Sequence, residues 1–195
     1  MKKIGEGAEA LIYAAKIYGA YVIIKYRQRK TYRVAELDTK LRKTRTRKEA
    51  KIIARALEHG INAPALIGIG NFSIYMERIS GTMLKDTRIS ANDAALAGLL
   101  LGRLHNAGIT HGDFTPANLI KSGKNIRIID FGLSNINKGS EERALDLLLM
   151  KRQLSPRLFS EFSSGYLKAA DSGNDTIKRL EEILERGRYQ TRTLA

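Results

Sequence analysis

Three side-chain oxygen donors set the narrowest limit on how this chain can fold. Two lie in the stretch HGDFTPANLI at 111–120, and the third opens the DFG at 130–132. Asp113 and Asn118 are five residues apart, and Asp130 follows Asn118 by twelve. To act together they need a loop, broken by Gly112 and Pro116, that holds the first two. Two short strands, around 119–120 and 127–129, must then return the chain to the third. One carboxylate can serve as a base. A carboxamide and a second carboxylate can hold a hard cation such as magnesium. Phosphoryl transfer uses that set of parts. Asp113 is therefore the candidate catalytic carboxylate, and Asn118 and Asp130 are the candidate metal ligands. His111 stands two residues before the candidate base, which suits bracing the loop better than moving a proton.

Such a site needs a phosphate cradle. IGEGAEALI carries Gly5 and Gly7 between two strand-like stretches, and glycine lets backbone N–H groups approach a phosphate with no Cβ in the way. A plain hairpin turn would explain two glycines equally well. The stretch leads into a strand and not a helix, which argues against a P-loop or dinucleotide fingerprint. Ile4, Gly5, Glu6, Gly7 and Ala8 are the candidate cradle. Lys25 ends the strand YVIIK, where a lysine is ordinarily unremarkable. Glu49, however, shares a helical stripe with Ile53 and Leu57, where an unpaired carboxylate is costly. A buried lysine and a buried glutamate would satisfy each other, and in kinases that pair orients the lysine onto the nucleotide phosphates. FSIYMERISG would complete an ATP site, with Met76 at the back of the pocket and the 77–79 backbone, Glu77 to Ile79, against the adenine edge. Ile4, Ile12, Ile23, Ile120 and Ile129 are the apolar residues expected to sandwich the ring.

Periodicity places these residues in two parts. Residues 4–26 read as strand, glycine turn, strand, strand, with Gly19 in a turn, and 39–58 as a helix stopped by Gly60. Two short strands follow, separated by Gly70 and Asn71. After Gly81 the pattern turns helical. A helix near 91–108 has an apolar stripe through Leu96, Leu99, Leu100 and Leu104, and further helices fall at 141–152 and 176–187. The fold class is α+β, with a small β-rich part at 1–79 holding one helix and a reduced helical part at 80–195, joined near 77–81.

Composition narrows the function. Of 195 residues, 43% are apolar and 28% charged, as in a folded globular protein. The absence of cysteine removes disulfides, thiolate zinc sites and cysteine nucleophiles. No apolar run is long enough to span a bilayer and MKKIGEGAEA has no signal-peptide block, so a cytoplasmic protein without membrane contact is expected. The formal charge is +14, and 25–51 alone holds twelve Lys and Arg against three acids. Most charge runs are solvated helix faces. A pI near 10.1 nevertheless favours an acidic partner, and tRNA contact through the tail arginines Arg186, Arg188 and Arg192 is expected.

GEGAEA, KYRQRKTYR, LDTKLRKTRTRKEA, HGDFTPANLI and IDFGLS together resemble the protein-kinase superfamily. Within it they resemble the kinase–ATPase subunit family of the KEOPS complex, relatives of the RIO kinases. Ala35 departs from the family pattern, which carries a proline shortly after the Tyr-Arg pair. The resemblance implies a minimal two-lobed protein-kinase-like fold that uses ATP and Mg2+. It implies a KEOPS role in threonylcarbamoyladenosine (t6A) modification of tRNA, beside the synthase subunit and a further subunit on the N-lobe. It also implies that Asp146, in the first helix after the metal loop, accepts hydrogen bonds from the catalytic-loop backbone. Ordinary substrate phosphorylation is expected to be weak. Gly112 replaces an arginine, Thr115 stands where a phosphate-facing lysine is usual, and no A-P-E sequence follows DFG. Three alternatives stay open: a stand-alone RIO-like kinase, a non-catalytic tRNA-binding scaffold, and a small-molecule phosphotransferase.

Overall fold

The structure is a computed structural model that describes residues 1–7, 9–136 and 139–192, with side chains described up to Arg186. The chain forms two compact units, Met1–Ser80 and Gly81–Ala195.

The first unit is a five-stranded antiparallel sheet with one helix. Its strands are β1 (Lys2–Glu6), β2 (Ala10–Ile17), β3 (Ala20–Arg27), β4 (Leu66–Ile69) and β5 (Ser73–Glu77), in the order β1-β2-β3-β5-β4. β2 and β3 alternate branched and aromatic residues and close on Tyr18 and Gly19, at φ 46° and 83°. Two positive-φ residues are what a tight twisted hairpin needs. Helix α1 (Ala35–Glu58) begins four residues before its apolar period, with Glu36 and Asp38 in the first turn facing the positive end of the helix dipole. Gly60 ends it in the left-handed region at φ 67°, and the Ile61 N–H bonds back to the Ala56 carbonyl. Only the C-terminal half of α1 buries an apolar face, through Ala50, Ile52, Ile53 and Ala56. The N-terminal half buries Asp38, Arg42 and Thr46 instead, and Glu49 is buried where the apolar stretch begins.

In the second unit, α2 (Ala91–Asn106) opens on a capping box: the Ser90 hydroxyl takes the Asp93 N–H, and the Asp93 carboxylate takes the Ser90 N–H. Short strands β6 (Thr82–Met83), β7 (Ile109–Thr110), β8 (Leu119–Ser122), β9 (Asn125–Ile128) and β10 (Asn135–Ile136) form a three-stranded sheet, β6-β8-β9, and the pair β10-β7. Helices α3 (Ser140–Lys151), α4 (Pro156–Ala169) and α5 (Gly173–Arg192) complete the unit. Helix α4 was not expected from periodicity. Its span is rich in serine and carries Gly165, yet Ser155 caps it, Pro156 occupies its first turn, and Phe159, Phe162 and Tyr166 recur at helical spacing. The expected leucine stripe of α2 is also rotated. Leu100, Leu101 and Leu104 are buried, whereas Leu96 and Leu99 are half-buried. The reason is the α2–α4 contact: a Cβ at Gly98 would collide with the Phe162 carbonyl, and one at Gly165 with the Ala95 carbonyl. Glycine on both helices lets the backbones approach directly, and Phe162 and Tyr166 fill the space beside them, fully buried. Each such side chain contributes about 1.5–3 kcal/mol. No helix among the described residues is long and apolar enough to cross a membrane.

Candidate functional site

In the first unit Lys25 and Arg27 lie two residues apart on β3, so their side chains leave the same face of the sheet. Both are buried, as is Glu49 on α1. The Lys25 ammonium donates to Glu49 Oε1 at 2.7 Å, and Arg27 Nη2 donates to Oε2 at 2.6 Å. The Lys25–Glu49 contact joins the strand lysine to the glutamate that looked out of place in the sequence. It does not leave them as each other's sole support, because Glu49 holds a second cation. Arg27 Nη1 also donates to Glu9 Oε2 at 3.0 Å, and Arg45 of α1 donates to Glu9 Oε1. Further along α1, Arg42 donates to Asp38 at 2.6 Å and lies 3.8 Å over the Phe72 ring. Arg42 and Arg45 are thus engaged within the protein, which removes them from the basic helix surface inferred from charge. Arg47 and Lys48 are exposed.

The glycine-bearing turn joins β1 to β2, with Gly5 opposite Ile12 and the Gly7 N–H bonded to the Ala10 carbonyl at 2.9 Å. A Cβ at Gly5 would make ordinary contact with Ile12, and one at Gly7 would approach only the Ala10 carbonyl, at 3.8 Å. Neither glycine is demanded by packing among the described residues. Ile4 is exposed, Glu6 pairs with Lys3, and Ala8 lies outside the described residues. Ile12 and Ile23 are half-buried and Met76 and Ile79 buried, with Ile23 opposite Met76 across the β3–β5 ladder. Glu77 is tied to Ala65 through backbone and carboxylate.

The second unit holds the oxygen donors. Asn118, at the end of a single 3-10 turn, donates its amide to both the Asp113 carbonyl and Asp113 Oδ2, each at 2.8 Å. That grip orients the Asp113 carboxylate and makes the Asn118 oxygen the atom that could serve a cation. Asp130 follows β9 with φ 60°, a strained value for a non-glycine residue, and its Oδ1 accepts the Gly132 N–H at 3.1 Å. Ile129 N–H bonds the Asn118 carbonyl at 2.9 Å and so ties the Asp130 side to the Asp113 loop. Ile120 and Ile129 are both half-buried. Oxygen donors of this kind fit magnesium, which takes one or two protein ligands and leaves the rest to phosphates and water. No cluster of three His, Cys, Asp or Glu suited to a metal occurs among the described residues.

Asp146, fully buried on α3, braces the loop from below. Oδ2 accepts the His111 N–H and Oδ1 the Gly112 N–H, both at 2.7 Å, and His105 Nε2 lies 3.2 Å from Oδ2. Tyr166 Oη bonds His105 Nδ1 at 2.8 Å. Gly112 sits at φ 78°, and a Cβ there would press on the Leu133 carbonyl at 2.6 Å. His111 is fully buried, with Nε2 near the Ile129 carbonyl and Nδ1 near the Asp113 N–H, both at 3.3 Å. Those contacts define a neutral ring with its proton on Nε2. Burial lowers the pKa of His105 and of His111 below the ordinary 6.5, more than the Asp146 carboxylate raises either. Leu145, next to Asp146 in sequence, is exposed, whereas Leu147 and Leu148 are buried.

Sequence reasoning missed Glu9, Arg27, Arg45, His105 and Tyr166. Arg27 had a signal, its two-residue offset from Lys25 on one strand; the others had none without the fold. Among the tail arginines, Arg186 is exposed beside Glu182, and the side chains of Arg188 and Arg192 lie outside the described residues.

The RIO domain matches residues 6–156. The KEOPS complex subunit Bud32 of Pyrococcus abyssi is 38% identical over 99% of this chain and 98% of its own length. A probable bifunctional tRNA threonylcarbamoyladenosine biosynthesis protein of Methanothermobacter thermautotrophicus is 38% identical over 95% of this chain, which spans only 36% of that protein. In structure, the Rio2 kinase–ADP/Mg2+–phosphoaspartate complex of Chaetomium thermophilum matches with a TM-score of 0.63. It covers 96% of this chain and 70% of its own at 19% identity, a likeness of fold alone. The α+β architecture is protein-kinase-like.

Proposed function

This chain belongs to the RIO domain family, and from that premise we propose that it is an ATP-dependent kinase and ATPase that supports t6A modification of tRNA as a KEOPS subunit. The observation that carries the reading is the buried contact between Lys25 and Glu49, because a lysine so held is aimed. Lys25 meets the nucleotide phosphates. Asp113, gripped by Asn118, orients the hydroxyl or water that attacks. Asn118 and Asp130 hold magnesium through oxygen. The ion, when bound, neutralises charge developing on the transferred phosphoryl group. Gly5 and Gly7, which packing among the described residues does not require, leave room for phosphates against the backbone of the turn, and Ile4, Glu6 and Ala8 are assigned to the same cradle. Ile12, Ile23, Met76, Ile79, Ile120 and Ile129 are the apolar residues assigned to the base, and the Glu77 backbone is assigned to its edge.

Hydrolysis outweighs transfer to protein substrates in this reading. Thr115 supplies no cation near the transferring phosphate, and Gly112, placed by its positive φ, supplies no arginine for an activating phosphate. The synthase subunit, a second KEOPS subunit on the first unit, and tRNA through Arg186, Arg188 and Arg192 are the proposed partners. The names of the P. abyssi and M. thermautotrophicus relatives support the assignment to KEOPS and t6A.

Three measurements test it. ATP turnover by the full chain, alone and with the synthase subunit and tRNA, should be present and rise with both partners; no turnover in any mixture would overturn the reading. Calorimetric titration with magnesium and a non-hydrolysable ATP analogue should show binding largely intact in Asp113→Asn and weakened in Asp130→Asn. Undiminished binding in both would remove the metal role of Asp130. A chain ending at Glu185 should lose tRNA affinity and the steep salt dependence of phosphate contacts.

A further inference from the structure

His105 lies fully buried on α2 between two groups that make different demands of it. Its Nε2 is 3.2 Å from Asp146 Oδ2, and its Nδ1 is 2.8 Å from Tyr166 Oη on α4. A carboxylate only accepts, so Nε2 carries a proton. Burial keeps the ring neutral against the pull of Asp146, and Arg143 and His111, which also face it, oppose a second positive charge. Nδ1 is therefore bare, and the Tyr166 hydroxyl donates to it. That leaves the Tyr166 oxygen free to accept, and the buried Thr176 hydroxyl of α5 bonds to it. The Ser172 carbonyl, 2.9 Å from the same hydroxyl, does not depend on it, because it already takes the Thr176 N–H at 3.1 Å. The protons thus point one way, from Thr176 through Tyr166 and His105 to Asp146.

We propose that Tyr166 is a positioning residue for Asp113, acting through His105 and Asp146. The Asp146 carboxylate takes the His111 N–H and the His105 ring on Oδ2, and the Gly112 N–H on Oδ1. Three donors hold it against rotation, and two of them belong to the residues just before Asp113. The third is only as fixed as the imidazole. Held at one nitrogen, that ring can turn about its Cβ–Cγ bond; held at both, it turns only by breaking two buried hydrogen bonds. Tyr166 supplies the second hold, edge-on to the imidazole with ring centroids 5.5 Å apart at 80°. Its own place is set by the close approach of α2 and α4 at Gly98 and Gly165. Arg143 Nη2 donates to the His105 carbonyl at 3.2 Å and fixes the backbone. All four helices of the second unit therefore meet at one imidazole. The proposal rests on the ATP reading for the role of Asp113 only.

The test is Tyr166→Phe in the full chain, which keeps the buried ring and removes only its hydroxyl. Nitrogen-15 NMR of labelled histidine reads the tautomer, and wild type at about pH 7.5 should show His105 neutral, with its proton on Nε2 alone. An imidazolium, or a proton on Nδ1, overturns the proposal from wild type by itself, so it stays refutable even if the variant does not fold. In Tyr166→Phe the His105 ring signals should broaden, and amide exchange at 111 and 112 should speed by about tenfold. The kcat for ATP turnover should fall by about tenfold, with KM for magnesium–ATP within about twofold of wild type. His105 signals and exchange that match wild type overturn the role. In a His105→Leu background Tyr166→Phe should cost no further kcat, because the ring it acts through is gone; an equal further loss overturns the route through His105. A wild type without ATP turnover in any mixture would sink the nucleotide reading, and the tautomer and the exchange at 111 and 112 would still decide for or against Tyr166.

Discussion

Asp146→Asn is the sharpest perturbation of the catalytic loop, because it keeps the shape of the side chain and changes one atom from acceptor to donor. The carboxylate takes the Gly112 N–H on Oδ1 and the His111 N–H on Oδ2, both at 2.7 Å, with His105 Nε2 3.2 Å from Oδ2. An amide oxygen can replace only one of the two acceptors. Whichever way the carboxamide turns, an NH2 faces a backbone N–H, buried at His111 and part-buried at Gly112, and two donors are left without an acceptor. Each unsatisfied buried donor costs about 1–3 kcal/mol, so the variant should lose about 2–5 kcal/mol. In a chain of 195 residues that is a drop in Tm of roughly 4–20 °C, at about 2–4 °C per kcal/mol. Urea denaturation gives the energy, and hydrogen exchange at 111–113 should accelerate together with it. A Tm within about 2 °C of wild type and unchanged exchange at 111–113 would show that the loop stands without Asp146.

The remaining expectations concern pH, charge and close packing. The two buried histidines are held neutral while their unfolded counterparts ionise near 6.5, so the unfolded state takes up protons that the folded state refuses. Stability should be full above that pH and fall as pH drops below it, by up to about 1.4 kcal/mol per pH unit for each site. Urea melts at pH 7.5 and 5.5 measure it, and an unchanged loss in His105→Gln would refute the part assigned to His105. Glu49→Ala takes the shared carboxylate from two buried cations, Lys25 and Arg27, and should cost about 3–5 kcal/mol, whereas Lys25→Ala leaves Glu49 with Arg27 and should cost under about 2 kcal/mol. Equal losses in denaturant would contradict the shared carboxylate. Gly165→Ala drives a methyl into the Ala95 carbonyl and should cost about 1–3 kcal/mol by overpacking, read as a lower Tm; an unshifted melt would mean that α2 and α4 can part without loss.

What was legible in sequence was what local chemistry dictates. The alternation of β2 and β3, the Gly60 stop of α1, and the order of lysine, helix glutamate, Asp-x4-Asn and DFG each follow from neighbouring residues, because strand period, cap and loop need no distant partner. Ser155 and Pro156 marked the start of α4 in the same way, but a serine-rich run with a central glycine hid its helical period. Those glycines make sense only with both helices in place, since it is the carbonyl of one that excludes a Cβ on the other. The charges divide along the same line. Sequence marked Glu49 as a carboxylate out of place on an apolar stripe and picked Lys25 as its partner. Only the folded sheet and helix brought Arg27 to its second oxygen and Glu9 to Arg45, converting part of an apparently basic surface into internal pairs. Asp146 reaches the His111 and Gly112 N–H groups across more than thirty residues of chain. Contacts of that span depend on how elements pack, and no local pattern in the residues records which buried donor a carboxylate will meet.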